Sequence, residues 1–298
     1  MAIYASIGAN VLIAALKFAA VLATGSSAML SEGIHSAIDA ANGPLLLVGQ
    51  HRSRKPADES HPFGYGHEMY FWTMVVAMLF FGVGGGVSVL EGIDRIRHPV
   101  PMGSLAWNYA VLGGAALFDT ISLVVGLRQF RRTAHGRPFW SVVRASKDPA
   151  LFSVVLEDIG DLTGVAIALL SIVLAKSLRR PWIDGAGSIG IGLVLALIAF
   201  VLMRESKALL IGERARRDVI AAVRTAASQE PAVRAVRQLL TLQLGPEDVL
   251  VGFGAEFDPA LTAAQVADVV DRLEQAITSR YPEVKHIYIE AEALRGHR

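Results

Sequence analysis

The sequence predicts an α-helical membrane protein of six transmembrane helices with a C-terminal α+β domain. Three observations predict it: an apolar composition, six windows of bilayer-spanning length, and a change of character near residue 204. The chain has 298 residues, of which 53% are hydrophobic and 18% charged, and its mean hydropathy is +0.44. That balance is too apolar for an ordinary soluble domain. A bilayer core of roughly 30 Å needs about 20 residues of helix. Windows near 3–24, 31–50, 70–91, 107–129, 150–176 and 183–203 reach that length. The first has no basic stretch before it and carries Lys17 in its body, so it reads as a span and not as a signal peptide. From Arg204 onward apolar runs shorten and charge rises. The expected division is therefore a membrane domain over 1–203 and a soluble domain over 204–298.

A net charge of only +1 gives no argument for nucleic acid as a partner. The chain has no cysteine, which excludes disulfides, thiolate metal sites and cysteine nucleophiles. A metal ion would have to be held by histidine nitrogens and carboxylate oxygens. Lys and Arg counts orient the spans. The loops after spans 2 and 4 hold nine (Arg52, Arg54, Lys55, Arg128, Arg131, Arg132, Arg137, Arg144, Lys147) against five after spans 3 and 5. Both termini are expected in the cytoplasm. Short loops and the lack of a targeting segment suit a bacterial inner membrane.

The tail alternates elements. ERARRDVIAAVRTAASQ reads as a helix, VRAVRQLLTLQL and VLVGFGAEFD as strands joined through GPED. LTAAQVADVVDRLEQAITSRY has Val266, Val269, Val270, Leu273 and Ile277 at helical spacing, after the start signal Asp258-Pro259. VKHIYIEA is a third strand. The order α-β-β-α-β fits a small open sheet with helices on one face, and its other face suits pairing with a second copy. In span 3, Gly82, Gly84, Gly85 and Gly86 are expected to allow close helix packing, with a moving interface as the alternative.

Ionisable groups at membrane depth are costly and are usually kept for function. His35 and Asp39 stand at i and i+4 in span 2, which places them on one helical face. An imidazole nitrogen with a carboxylate oxygen suits Zn²⁺ and tolerates neighbouring first-row ions. Span 5 offers Glu157, Asp158 and Asp161. Glu157 with Asp161, or Asp158 with Asp161, shares a face; all three cannot. The candidate transport ligands are His35, Asp39, Asp158 and Asp161, with Glu157 as an alternative ligand. Asn42, one turn past Asp39, could orient a ligand or serve helix packing. Glu32 is expected to be wetted near the end of its span, and Ser31 to cap a helix N-terminus. A proton gradient could drive release, because these groups bind protons as well as metal, with His35 as the carrier.

Three segments then carry a family resemblance: TGSSAMLSEGIHSAIDAANG at 24–43, KPADESHPFGYGHEMYFW at 55–72, and the Leu156-Glu157-Asp158 stretch of span 5. With them the chain resembles the cation diffusion facilitator family over nearly its whole length. The resemblance implies a six-span transport domain with a ferredoxin-like cytoplasmic domain, working as a homodimer by alternating access. It implies export of divalent cations, most often zinc, from the cytoplasm in exchange for protons, and no enzyme activity or cofactor. The family's transport site joins spans 2 and 5. Its span 2 pattern falls on His35 and Asp39; its span 5 pattern falls on Val154 and Asp158, and Val154 cannot coordinate a metal. Either Asp161 or Glu157 then supplies the fourth ligand, or water completes three protein groups. The carboxylate content shifts the site toward manganese, iron or cobalt, while His35 favours zinc. A secondary cation site of the family matches Asp58 and His61; its third position is Tyr65, for which His67 or Glu68 would have to substitute. The tail offers only His286 and His297, with Asp258 and Glu290, and the loop after span 4 only His135, so little metal binding is expected there.

Other classes fare worse. A cation channel is the main alternative, although no filter loop or arginine ladder is visible. An intramembrane metalloprotease needs HExxH, which is absent. A metal-sensing scaffold would need a tail richer in ligands.

Overall fold

The computed structural model describes residues 2–99, 106–134, 147 and 149–292. They form two compact units. The larger holds the helical elements up to His51, from Phe71 through the fourth helix, and from Pro149 to Lys207. The smaller holds Arg52–Tyr70, Lys147 and the chain from Ala208.

Six long helices make the larger unit: α1 (Ala2–Thr24), α2 (Ser27–Ser53), α3 (Glu68–Arg97), α4 (Ala106–Ala134), α5 (Pro149–Ser177) and α6 (Trp182–Ile211). Among the described residues, four are long and apolar enough to cross a membrane: α3, α4 over Ala106–Val125, α5 over Val155–Ser177, and α6. Among the other two expected spans, Asn10–Thr24 of α1 is a shorter apolar helix. α2 has 27 residues but carries Glu32, His35 and Asp39 along its middle, which dilutes its hydropathy. Leu22, Leu90, Leu117, Leu170, Leu193, Leu197 and Phe200 stand exposed on the outside of this unit, as side chains facing lipid would. Inside, Met29, Ile38, Val76, Phe80, Leu112, Ile172, Ile191 and Leu195 form the core.

The turn from α1 to α2 is made by Gly25, whose φ of 66° lies in the left-handed region that glycine adopts freely. Ser26 begins α2: its Oγ accepts from the Met29 N–H at 3.2 Å. The Asp184 carboxylate at the start of α6 accepts the Ser27 N–H at 2.6 Å and the Ser26 hydroxyl at 2.7 Å. An anion there satisfies helix donors that no backbone carbonyl reaches. Ser31, expected to cap a helix, is instead buried one turn inside α2. The reason is that the serines at 26 and 27, not Ser31, follow the turning glycine.

The glycines of span 3 divide. Residues 80–86 form a π-helical turn within α3. Gly84 lies against Ile38 and Leu195, and a Cβ on Gly85 would come within 3.1 Å of the Gly192 carbonyl. Further along, a Cβ on Gly185 would lie 2.7 Å from the Gly92 carbonyl. Helices α3 and α6 thus meet backbone to backbone, as the packing expectation requires. Gly82 faces open space and takes no part.

The smaller unit contains α7 (Arg217–Gln229), β1 (Val233–Gly245), β2 (Asp248–Phe257), α8 (Ala263–Arg280) and β3 (Val284–Glu292). The sheet order is β1-β2-β3, with β1 antiparallel and β3 parallel to β2. Val249, Val251, Phe253 and Ala255 alternate along β2 and share a core with Val219 and Val223 of α7 and Val269, Leu273 and Ile277 of α8. Two-residue spacing in the strand meets four-residue spacing in the helices. Thr262 caps α8 in a reciprocal capping box with Gln265. The Arg52–Tyr70 segment packs into this unit, with Gly66 against the backbone of Leu244 and Gly245. Lys147 joins it through a 2.9 Å ion pair with Glu213.

Candidate metal centre

Helix α2 turns His35 and Asp39 toward α5, and α5 answers with Asp161. His35 Nε2 lies 3.2 Å from Asp161 Oδ1 and 3.8 Å from Asp39 Oδ1. One ligand atom from each of the three falls within 4.8 Å of the others. His35 is fully buried, and Phe80 from the π-helical turn presents its ring to the imidazole edge to face at 5.8 Å. Gly160 admits Ile198 of α6 beside the imidazole.

The polar atoms are the informative part. His35 Nδ1 and Nε2, Asp39 Oδ1 and Asp161 Oδ1 are all buried without a hydrogen-bond partner. Each such atom costs about 1–3 kcal/mol if it serves only structure. Two carboxylates and an imidazole converging in an apolar surround are the donor set for a divalent cation of first-row type.

The other acids of α5 go elsewhere. Glu157 shares the Asp161 face, and its Oε2 accepts from the Asn42 side-chain amide at 2.6 Å. Asn42 therefore orients Glu157 rather than Asp39. Asp158, one residue on and about 100° around the helix, accepts from Ser122 of α4 at 3.1 Å. The structure brings His35, Asp39 and Asp161 together and leaves Asp158 outside that group.

Three further charged groups are buried, and of these the sequence reading passed over Asp119 and the pairing of Lys17 with Glu32. Lys17 of α1 donates to Glu32 Oε2 at 2.9 Å and to Ser36 Oγ at 2.8 Å, all out of solvent. Glu32 is thus fully buried and not wetted, because the amine on α1 draws it inward. Asp119 of α4 is 8% exposed, with Oδ2 unpartnered. A lysine inside an apolar span already implies a buried acidic partner; that signal was present in Lys17 and unused.

The loop between α2 and α3 is satisfied internally. Asp58 Oδ1 accepts from the Ser60 N–H at 2.9 Å and the His61 N–H at 2.7 Å, and Asp58 Oδ2 from the Tyr65 hydroxyl at 2.7 Å. The Tyr65 hydroxyl, followed by the His61 N–H, holds the Asp58 carboxyl below the usual carboxylate range, and the Tyr65 phenol is raised in return. The His61 ring stacks on Tyr65 at 4.1 Å. His67 turns to Tyr70, and burial lowers its imidazole from the ordinary value. Asp58, His61 and His67 do not converge: among the described residues the trio of His35, Asp39 and Asp161 is the group of three with metal-ligand spacing. In the tail, His286 stands 3.7 Å from Asp248 and edge-on to Phe63. Asp258 is taken up by Arg234 and the Ala260 N–H. His135 and His297 lie outside the described residues.

A unit with membrane-length apolar helices that encloses a cluster of metal-ligating side-chain types has the architecture of an ion-translocating protein. Comparison with known proteins gives the family. Residues 3–211 match the cation efflux transmembrane domain, and residues 215–294 match the cation efflux protein cytoplasmic domain. The chain belongs to the cation diffusion facilitator family, whose members are secondary active transporters and not enzymes. It is 29% identical to the mouse mitochondrial proton-coupled zinc antiporter SLC30A9, over 92% of this chain and 55% of that protein. It is 26% identical to the magnetosome protein MamM of Paramagnetospirillum magneticum, over 97% of this chain and 87% of that protein. It is 27% identical to the cation-efflux pump FieF of Klebsiella pneumoniae, over 93% and 88%. The chain spans little more than half the length of the zinc antiporters it matches.

Proposed function

We propose that this protein exports divalent transition-metal cations, zinc above the others, in exchange for protons. The observation that carries this reading is the sheltered trio of His35, Asp39 and Asp161, whose ligand atoms lie within 4.8 Å of one another and lack hydrogen-bond partners. Three protein ligands leave one tetrahedral position to water, which suits an ion that must also leave. Zinc is favoured because an imidazole joins the two carboxylates, and because a relative across most of this chain is named as a proton-coupled zinc antiporter. Manganese, iron and cobalt are the competing cargoes. Protons are the exchange partner because these ligands bind the metal only when deprotonated.

In this reading α1 and α2 complete six spans. The 27 residues of α2 extend about 40 Å at 1.5 Å per residue, and its charges face inward. The tail is a ferredoxin-like dimerisation domain. The match of residues 215–294 to the family's cytoplasmic dimer module supports a homodimer. So does the sheet face away from α7 and α8, where exposed Leu240 and Tyr288 flank Gly252 in one cross-strand row. An inner membrane location with cytoplasmic termini fits the distribution of basic loop residues.

The test is uptake of Zn²⁺, Mn²⁺, Fe²⁺ and Co²⁺ into proteoliposomes with a pH-sensitive dye inside. Saturable uptake with counter-movement of protons, lost in Asp39→Ala and Asp161→Ala, is the expected result. Flux that does not saturate and ignores the pH gradient would mark a channel, and no flux of any ion would end the transport reading.

A further inference from the structure

The polar seam between α2 and α5 continues past the trio. The two helices run in opposite directions: His35 of α2 meets Asp161 of α5 at 3.2 Å, and further along α2 Asn42 meets the earlier Glu157 of α5 at 2.6 Å. Asn42 comes one turn after Asp39, and Glu157 one turn before Asp161. At 1.5 Å per residue, the second pair lies about 5 Å from the trio along both helices. Asn42 and Glu157 are 4% and 9% exposed. Asn42 Nδ2 donates to Glu157 Oε2. The other oxygen of each side chain, Asn42 Oδ1 and Glu157 Oε1, is buried without a hydrogen-bond partner.

Such a pair is a poor device for packing. A single hydrogen bond locks the two side chains together and leaves an oxygen unmet on each, a cost that an apolar pair of the same shape avoids. The place of the pair suggests a different use. It lies on the trio's side toward the ends of α2 and α5 from which the chain continues into the smaller unit, through residues 52–70 and Lys147. The tail in that unit matches the family's cytoplasmic domain. A cation moving along the seam from those ends reaches Asn42 and Glu157 before His35, Asp39 and Asp161. Carboxylate and amide oxygens both bind divalent cations. Without an imidazole they hold a first-row ion less tightly than the trio does. A site on a pathway needs that balance, strong enough to draw an ion in and weak enough to pass it on.

We propose that Asn42 Oδ1 and Glu157 Oε1 form a second, weaker cation site that loads the trio. It takes a partly hydrated divalent cation, with water filling the positions that the two oxygens leave open. The bond between Asn42 Nδ2 and Glu157 Oε2 holds the two side chains in place. Glu157 is then a ligand of the site on the way in and not of the trio itself. The proposal rests on reading His35, Asp39 and Asp161 as the transport site.

The experiment separates the rate of loading from affinity. Zn²⁺ is titrated calorimetrically into the full chain in detergent at fixed pH, and the rate of Zn²⁺ uptake by the same protein is followed by stopped flow with a zinc-sensitive dye. Wild type is compared with Asn42→Leu combined with Glu157→Leu, which replaces the bonded pair by apolar groups of similar size. The double variant is expected to bind Zn²⁺ within about threefold of the wild-type Kd and to load it at least about fivefold more slowly. Should it fail to fold, Glu157→Gln carries the test, since it keeps the shape and loses the charge; its loading is expected to slow at least about threefold, with the same limit on Kd. Affinity weakened beyond that limit overturns the proposal, because Glu157 would then be a ligand of the trio. Loading at the wild-type rate also overturns it and leaves a structural hydrogen bond. Failure of the transport-site reading is separate: wild type would bind no Zn²⁺, or His35→Ala would bind it equally well.

Discussion

Two of the histidine–aspartate pairs among the described residues, one in α2 and one in the loop that follows it, are treated oppositely by the fold. His35 and Asp39 are one turn apart in α2, the first fully buried and the second partly so, with ligand atoms that no hydrogen bond satisfies. Asp58 and His61 are exposed in a loop, and the carboxylate of Asp58 is saturated by two backbone N–H groups and the Tyr65 hydroxyl. Residue types are the same; the state of their atoms is not. A carboxylate already accepting three hydrogen bonds has little left for a cation, whereas oxygens beside an imidazole, all without hydrogen-bond partners, keep that capacity. Ligand candidates are better ranked by unspent hydrogen-bonding capacity than by residue identity.

The sharpest way to break this comparison is to remove one member from each pair. His35→Ala and Asp161→Ala are expected to reduce metal flux by on the order of 100-fold, at or beyond the loss seen when a ligand's support is removed. Asp58→Ala is expected to change it by less than about threefold, since loop carboxylates facing water contribute little. Equal losses in the two measurements would erase the distinction.

A finer test lies within α5. Asp161→Asn is expected to cost about tenfold more metal affinity than Asp158→Asn, because Asp158 answers to Ser122 and not to His35. Isothermal titration of both variants decides it, and a reversed order would move the site by one residue around the helix. Packing comes next. Gly92→Val drives a side chain into the Gly185 backbone, and is expected to destabilise the purified protein by about 1–3 kcal/mol in thermal unfolding. Gly82→Val, in open space, is expected to change little.

The smallest effect concerns the loop. The Asp58 carboxyl is held below its ordinary range chiefly by Tyr65. A depressed carboxylate contributes order above its unfolded value and loses it as pH falls through the lowered one. The Ser60 and His61 amides are therefore expected to stay protected from exchange to lower pH in wild type than in Tyr65→Phe. Identical acid profiles would show that the tyrosine hydroxyl does not hold the carboxylate.

Much of this was legible without coordinates. Helical spacing put His35 and Asp39 on one face, and VLVGFGAEFD after the turn residues GPED read as the β2 strand, whose Val249, Val251, Phe253 and Ala255 line the tail core. The glycines of span 3 announced close packing, which holds at Gly84 and Gly85 and fails at Gly82. Ser31 misled because capping depends on where the turn falls, and Gly25 places it earlier. Glu32 misled because burial was inferred from distance along a span, while the lysine that pulls it inward lies on another helix.

The sequence by itself determined that the protein has an apolar helical part and a mixed tail, and which residue types at membrane depth could meet a cation. It could not choose among Glu157, Asp158 and Asp161. Consecutive helical residues point about 100° apart, and only the rotation of α5 against α2 and α4 decides which of them faces His35. Tertiary packing made that choice, turning Asp161 to the imidazole, Glu157 to Asn42 and Asp158 to Ser122. It also joined Lys17 to Glu32 across fifteen residues of chain, because an ammonium group inside an apolar body must find an anion wherever the fold brings one near.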